Sequence, residues 1–169
     1  NWFAVAGPSG NVQMKSISFL SPLEGIVVGY HKKNRQPRAY RLDVASAGWV
    51  DISPSYISPV PFGGGSFEVR DLLDVATRGT DLATGEAYAV GRNGVVFRYD
   101  ATRDRFVDVP QLFDMDEVTG VRIYRASRLD LPSLDMAPDG STILIGTAGY
   151  LFNRCKTSWK SLSTDLGYV

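Results

Sequence analysis

The sequence predicts an all-β protein made of β-propeller blades, about three of them, each a sheet of four antiparallel strands. Short β-prone runs alternate with turns along a chain that contains 17 Gly and 9 Pro. Residues 85–109 show the pattern most clearly, as strand, glycine turn, strand, polar turn and strand. Similar units lie before and after this stretch. Four strands repeated at intervals near fifty residues are typical of propeller blades or a related array.

The first predicted blade covers residues 12–53. Residues 12–20 alternate in polarity, which predicts a strand with two different faces, and residues 26–30 form a continuous apolar run typical of a strand buried on both faces. Two shorter strands are predicted at residues 39–44 and 49–52. Before this blade, a β-prone run ends at a Gly-Pro-Ser-Gly turn, and it fits the last strand of a preceding blade.

The second and third predicted blades cover residues 67–110 and 129–163. Residues 53–65, rich in proline and glycine, are predicted to be a loop that connects the first two blades. The second blade starts with a segment that we interpret mostly as strand, and an acidic connection follows it. The third blade contains strands separated by Pro138-Asp139-Gly140 and by Ala148-Gly149.

The three units align with one another. Gly29, Gly91 and Gly146 end the second strands. Large aromatic side chains recur at matching positions of the third strands, which are Tyr40, Phe97 and Phe152, and of the fourth strands, which are Trp49, Phe106 and Trp159. Glycine at the strand end allows a tight turn or the close approach of another backbone. An aromatic ring on the fourth strand covers the gap between blades. The aligned positions therefore predict blade structure rather than a ligand site.

The second unit also resembles a known repeat. Residues 85–94 follow the pattern Gly-x-Ala-x-Ala-Val-Gly-x-x-Gly, which resembles the bacterial neuraminidase (Asp-box) repeat and, most closely, the propellers of photosystem II stability/assembly factors. The Asp-box half is degenerate, because residues 43–49, 100–106 and 155–159 keep only its final aromatic residue. The resemblance extends over most of the chain and implies a propeller. We do not carry the photosystem role over to this chain.

Composition excludes several classes of function. The chain has 169 residues, which we interpret as a single partial propeller over residues 1–169, and its 18 basic and 18 acidic residues cancel. A neutral chain gives no support for general binding to nucleic acid or to an anionic membrane. The single cysteine, Cys155, cannot form an internal disulfide, and neither a zinc pattern nor a membrane-spanning apolar run is present. No cofactor is predicted, and the compartment stays open.

One loop carries a candidate binding site. It contains five basic side chains that could hold a phosphate or an acidic partner protein: His31, Lys32, Lys33, Arg35 and Arg38. The structural alternative is a solvated hairpin tip, which is common. We keep the loop as the candidate partner-binding or anion-binding site.

Catalytic and metal sites are weakly supported. A sialidase-like Arg-Ile-Pro motif would place arginine at position 130, but Asp130 stands there and Arg128 lies two residues early. Polar turns explain the groups of acidic residues, which are Asp71 with Asp74, Asp100 with Asp104 and Asp108, and Asp114 with Asp116 and Glu117. His31 is the only histidine and has no nearby partner ligands in the sequence, and Cys155 has no adjacent base.

Two hypotheses about function follow. In the favoured one, the chain is a non-catalytic propeller segment that binds a protein, or a glycan, through its loops and acts as an assembly scaffold. In the alternative, it is part of a sialidase-like glycoside hydrolase or a glycan-binding propeller. Convergence of Arg41, Arg98 and Arg154 with a carboxylate would favour the enzyme. Because propellers have about four to eight blades, we also expect remaining blades in a longer chain, or closure with another chain.

Overall fold

The chain folds into three four-stranded antiparallel sheets and a separate two-stranded hairpin. The structure, a computed structural model, describes residues 7–8, 10–43, 48–55, 60–62, 65–67, 71–92, 95–109, 130–147, 150–155 and 158–161. These residues contain fourteen strands and no α-helix. No helix in this part of the chain is long and apolar enough to cross a membrane. The predicted all-β class and the four-stranded antiparallel units are confirmed.

Each sheet follows the chain strand by strand. Sheet I contains β1 (Val12–Ser21), β2 (Glu24–His31), β3 (Pro37–Asp43) and β4 (Gly48–Asp51). The hairpin contains β5 (Val60–Phe62) and β6 (Gly65–Phe67). Sheet II contains β7 (Leu72–Arg78), β8 (Glu86–Gly91), β9 (Val96–Asp100) and β10 (Arg105–Asp108). Sheet III contains β11 (Ser133–Met136), β12 (Thr142–Thr147), β13 (Tyr150–Cys155) and β14 (Ser158–Ser161).

The first strand of each sheet is the inner one. β7 packs against β1 on one side and against β11 on the other, so that the three sheets follow one another around a common axis in sequence order. Along β1, half-buried and exposed side chains alternate as the sequence predicts. β2 is buried from Gly25 to Tyr30, as its continuous apolar run predicts.

Two apolar cores lie between the sheets. The first contains Ile26 and Val28 of sheet I packed with Val75 and Phe97 of sheet II. The second packs the opposite face of sheet II against the buried residues of sheet III. Phe106 on the fourth strand of sheet II is 1% exposed within the first core. This position confirms that a fourth-strand ring fills the gap between blades.

Strand register corrects the glycine alignment in the third unit. Tyr40 pairs with Val27, Phe97 with Ala89 and Phe152 with Ile145. Counting two residues onward along the second strand from each of these partners gives Gly29, Gly91 and Thr147. Gly146 is therefore one residue out of register with the other two glycines.

The environment of each glycine explains this difference. A Cβ at Gly29 would collide with the carbonyl oxygen of Gln13, and one at Gly91 with that of Asp71. At Gly146 the nearest atom would be the Ser133 side chain at 4.0 Å. A backbone neighbour requires glycine at the first two positions, whereas a side chain at Gly146 would make only an ordinary van der Waals contact.

Two other expectations change. The predicted loop 53–65 contains β5 and the first residue of β6, because Val60 pairs with Phe67 across a short hairpin. Arg38, predicted in the basic loop, belongs to β3 and pairs with Gly29. The β-prone run at residues 2–6, before the first blade, and the acidic connection after the second blade lie outside the described residues.

Candidate functional site

The candidate site lies at one end of the sheets, which we call the upper face. Each inner strand begins there and each second strand ends there, as the pairs Val12 with His31 and Leu72 with Gly91 show. Loops from different sheets therefore meet at this face. Because the basic loop connects β2 to β3, strand direction alone places it here.

Two arginines from different sheets converge on one carboxylate at the upper face. Asp71 immediately precedes β7, and its Oδ2 forms ion pairs with Arg35 from sheet I and with Arg92 from sheet II. The Arg92 Nε lies 3.0 Å from that oxygen and 3.7 Å from Oδ2 of Asp130, which precedes sheet III. We call Arg35, Asp71 and Arg92 the arginine cluster.

Burial differs sharply within the arginine cluster. The Asp71 side chain is 1% exposed, whereas those of Arg35 and Arg92 are 35% and 49% exposed. A buried carboxylate needs compensating charge, and the two guanidinium groups supply it. Asp130 also lies near Arg92, so two arginines face two carboxylates. The surplus positive charge at the upper face therefore comes from the exposed Lys32 and Lys33.

The backbone holds the cluster in place. Arg35 has φ 60° and Asp71 has φ 37°, a left-handed conformation that is uncommon for residues other than glycine. The Asp71 N–H donates to the Arg35 carbonyl at 3.1 Å, and the Arg92 N–H donates to the Asp71 carbonyl at 3.1 Å. Strained residues cluster at functional sites when the surrounding structure fixes them.

Aromatic contacts position Arg35 further. Its guanidinium carbon lies 3.8 Å from the centroid of the Tyr30 ring, and the Lys15 Nζ lies 5.7 Å from the same centroid. The face of an aromatic ring attracts a stacked guanidinium group. The N–H donors lie at the edge of the guanidinium plane, so they stay available for hydrogen bonds. The hydrogen bond to Asp71 raises the pKa of Arg35 above its already high ordinary value. Arg35 therefore stays charged at every physiological pH.

Two buried polar atoms at the upper face have no hydrogen-bond partner among the described residues. They are Asp71 Oδ1 and His31 Nδ1. A buried carboxylate oxygen without a donor is unusual, because most buried polar atoms in folded proteins are paired. The arginine cluster thus presents cationic donors at the surface, whereas Asp71 Oδ1 is buried beneath them.

The other predicted basic residues separate into two groups. Lys32 and Lys33 are exposed in the turn beside Arg35. Arg38 instead lines an open groove of about 570 Å³ together with Asp51, Pro54 and Arg105. The structure keeps His31, Lys32, Lys33 and Arg35 in the loop at the upper face and places Arg38 on β3, where it lines a groove separate from the arginine cluster. Sequence reasoning missed Asp71 and Arg92, although the repeat alignment puts Arg92 directly after Gly91 at the same strand end.

The arrangement expected of a sialidase-like centre does not form among the described side chains. Arg41 binds Asp104 with Nε–Oδ1 and Nη2–Oδ2 distances of 3.0 and 3.1 Å, far from the axis, and Arg98 is exposed on β9. The side chain of Arg154 lies outside the described set. The two glutamates in this set, Glu24 and Glu86, begin second strands and so lie at the end opposite the arginine cluster.

Of the acidic residues that the sequence attributes to polar turns, Asp71, Asp74 and Asp104 instead bind residues of other sheets. Asp100 does hold a turn, as do two further aspartates. Asp81, Asp100 and Asp139 each accept a hydrogen bond from a nearby hydroxyl and from a backbone N–H within the same turn. These bonds lower the pKa of all three carboxyl groups. Among the described residues, no three His, Cys, Asp or Glu side chains are grouped so that they could hold a metal ion.

Comparison with solved structures supports the fold. The chain is similar to YCF48 in a structure of YCF48 bound to a D1 peptide, with a TM-score of 0.57 and 13% identity over 95% of this chain and 43% of that one. It is also similar to the extracellular domain of the putative hybrid two-component system BT4673 from B. thetaiotaomicron, with a TM-score of 0.54 and 15% identity over 88% of this chain and 16% of that one. No family model and no curated protein sequence matches the chain. The chain therefore has a β-propeller-like fold and spans less than half the length of either structure.

Proposed function

We propose that the chain is a non-catalytic, protein-binding part of a β-propeller, and that it recognises an acidic segment of its partner at the upper face. One observation carries the proposal: Arg35 and Arg92, from different sheets, converge on the buried Asp71, and their side chains stay 35% and 49% exposed. Arginine forks bind carboxylates through two parallel hydrogen bonds. Lys32 and Lys33 add positive charge beside them.

The binding surface suits a scaffold. Rigid sheets support the loops that carry the cluster, and loops on a rigid scaffold commonly carry binding function. YCF48, which has a similar fold, was solved with a bound D1 peptide. That likeness supports peptide binding as the type of activity. The chain acts as a scaffold within a larger protein or complex. Its repeats are degenerate forms of the Asp-box repeat.

A fluorescein-labelled peptide containing four glutamates in a Gly-Ser background tests the proposed site. We expect Arg35→Gln and Arg92→Gln each to weaken its binding about tenfold, since charge-assisted hydrogen bonds contribute about 1.5–3 kcal/mol. Added salt should weaken binding to the unsubstituted protein, because exposed charges are screened. Fluorescence anisotropy measures both effects.

Arg98→Gln is the matched control, since it removes an exposed arginine from β9 without touching the cluster. It should bind the peptide as the unsubstituted protein does. A peptide with four glutamines in place of the glutamates should not bind. Equal affinity of the Arg35→Gln, Arg92→Gln and Arg98→Gln proteins would refute the site.

A further inference from the structure

Sheet I exposes large apolar side chains along its inner strand, although Val27 and Tyr40 on the same face are buried. Among the described residues, the large apolar side chains that are exposed are Ile17 at 50%, Phe19 at 53% and Leu23 at 61%. Ile17 and Phe19 lie on β1, and Leu23 lies in the turn that follows it. On the other face of β1, Ser16 and Ser18 hydrogen-bond to β7. Because side chains alternate along a strand, Ile17 and Phe19 point away from sheet II.

Register shows what this face corresponds to in the other sheets. In sheet I, Ile17 on the inner strand pairs with Val27, and Val27 pairs with Tyr40 on the third strand. In sheet II, Val75 pairs with Ala89 in the same way, and Ala89 pairs with Phe97. Ile17 and Val75 therefore occupy equivalent positions on their inner strands. Their burial differs, since Val75 is 4% exposed and packs against sheet I.

Sheet III repeats this relationship. Leu134 pairs with Ile145, and Ile145 pairs with Phe152. Leu134 therefore occupies the same register position as Val75. Leu134 is 6% exposed and belongs to the core that joins sheets II and III. At this position, sheets II and III each bury an apolar side chain against the sheet that precedes them. Sheet I presents the same kind of residue to solvent.

The other two exposed residues follow the same rule. Leu82, in the turn between β7 and β8, is 7% exposed in the first core, and its N–H donates to Glu24 of sheet I at 2.7 Å. Leu23 lies in the corresponding turn of sheet I. Phe19 and Thr77 are equivalent in register, since Phe19 pairs with Gly25 and Thr77 pairs with Ala87. The Thr77 hydroxyl forms a hydrogen bond with that of Ser18 in the preceding sheet at 2.7 Å. Ile17 and Phe19 therefore correspond in register to residues that contact a preceding blade, and Leu23 lies in the turn equivalent to the one that holds Leu82.

We infer that the face formed by Ile17, Phe19 and Leu23 is a blade-to-blade interface, and that its occupant is a further four-stranded blade of the same polypeptide. The two interfaces within the chain join sheets of one polypeptide in sequence order, and Ile17 and Phe19 match their strand positions in register. The similar solved structures also extend well beyond the part that this chain matches, which is 43% and 16% of their lengths. This inference is independent of the peptide site, which lies on loops at the upper face.

Cysteine labelling of the polypeptide at its full natural length tests the inference. Ile17→Cys and Leu23→Cys proteins are treated with a maleimide, and mass spectrometry locates the label so that Cys155 does not interfere. We expect labelling at both positions to be roughly tenfold or more slower than at Ala101→Cys, an exposed turn position of sheet II, since buried sites react only on local opening. Light scattering should give the mass of one polypeptide.

Two results would overturn the inference. Labelling of both cysteines as fast as Ala101→Cys would show that the face is open. Protection that appears only in a dimer and disappears on dilution would assign the face to a second copy. Because Leu23 lies in a turn and Ile17 in a strand, the two variants report on the face through different local structures.

Discussion

At the scale of single residues, backbone contacts decide where glycine is required. Gly29 and Gly91 are each close to a carbonyl oxygen of the adjacent inner strand, so that no side chain fits there. Gly146 has a similar neighbouring sequence, yet it lies one register position away and has no close neighbour. A glycine that aligns in sequence is therefore not always the glycine that the fold needs.

This difference predicts unequal effects of adding one methyl group. We expect Gly29→Ala to lower the free energy of unfolding by about 1–3 kcal/mol, because overpacking against a backbone atom forces the strands apart. Gly146→Ala should change it by less than about 0.5 kcal/mol. Urea unfolding followed by circular dichroism measures both. Equal losses in the two variants would contradict the register that we describe.

Asp71 competes with any acidic partner for the two arginines. Asp71→Asn removes its charge and keeps its shape, so we expect the tetraglutamate peptide to bind several-fold more tightly to this variant. The same substitution should lower stability, since it removes the counter-ion of Arg35 and one of the two carboxylates beside Arg92. Anisotropy and urea unfolding separate the two effects. Weaker peptide binding with unchanged stability would show that Asp71 does not oppose the ligand.

At the scale of strands and turns, the sequence predicted most elements because local patterns determine them. Alternating polarity predicted β1, and a continuous apolar run predicted β2. The hairpin of β5 and β6 was missed, because proline and glycine there indicated a loop. The arginine cluster was only partly predicted. Its basic loop is local in sequence, whereas the contact between Arg35 and Asp71 depends on how two sheets pack.

A polar contact between blades joins β3 to the turn after β9. Arg41 donates three hydrogen bonds to the two carboxylate oxygens of Asp104, and the Tyr99 hydroxyl donates to the same carboxylate at 2.6 Å. The hydrogen bonds from Arg41 have the largest effect and lower the pKa of Asp104 below 3.8. Burial opposes this shift, and the hydrogen bond from Tyr99 adds to it. Burial and the Asp104 bond raise the pKa of Tyr99. The contact therefore requires an ionised Asp104.

This contact predicts a pH-dependent contribution to stability. Because the folded-state pKa of Asp104 is depressed, the contribution is present above the unfolded-state value near 3.8 and is lost as pH falls through the lower folded-state value. We expect Arg41→Gln to be less stable than the unsubstituted protein at about pH 6, and the difference to shrink below about pH 4. Arg98→Gln, at the equivalent register position, should show no such trend. A difference that stays constant with pH would exclude the ion pair as its cause.

At the scale of the whole molecule, one carboxylate connects all three inner strands. Asp74 on β7 accepts a hydrogen bond from the Ser16 hydroxyl of β1 at 2.5 Å and from the Leu134 N–H of β11 at 2.8 Å. It also accepts the N–H of Val75 within its own strand at 2.9 Å. The apolar cores join the sheets in pairs, whereas Asp74 contacts both neighbours with one side chain. It therefore couples sheet I to sheet III through sheet II.

Asp135 offers a matched control for this coupling. It accepts the N–H of the next residue, Met136, at 2.8 Å, as Asp74 does from Val75, but it is exposed on β11. We expect Asp74→Ala to lower the free energy of unfolding by about 2–4 kcal/mol, since it removes two hydrogen bonds to a charged group, and Asp135→Ala by less than about 1 kcal/mol. Hydrogen exchange should show faster exchange in β1 and β11 only for Asp74→Ala. If both variants lost equal stability, the local bond would account for the effect, and the three sheets would be joined by their apolar cores alone.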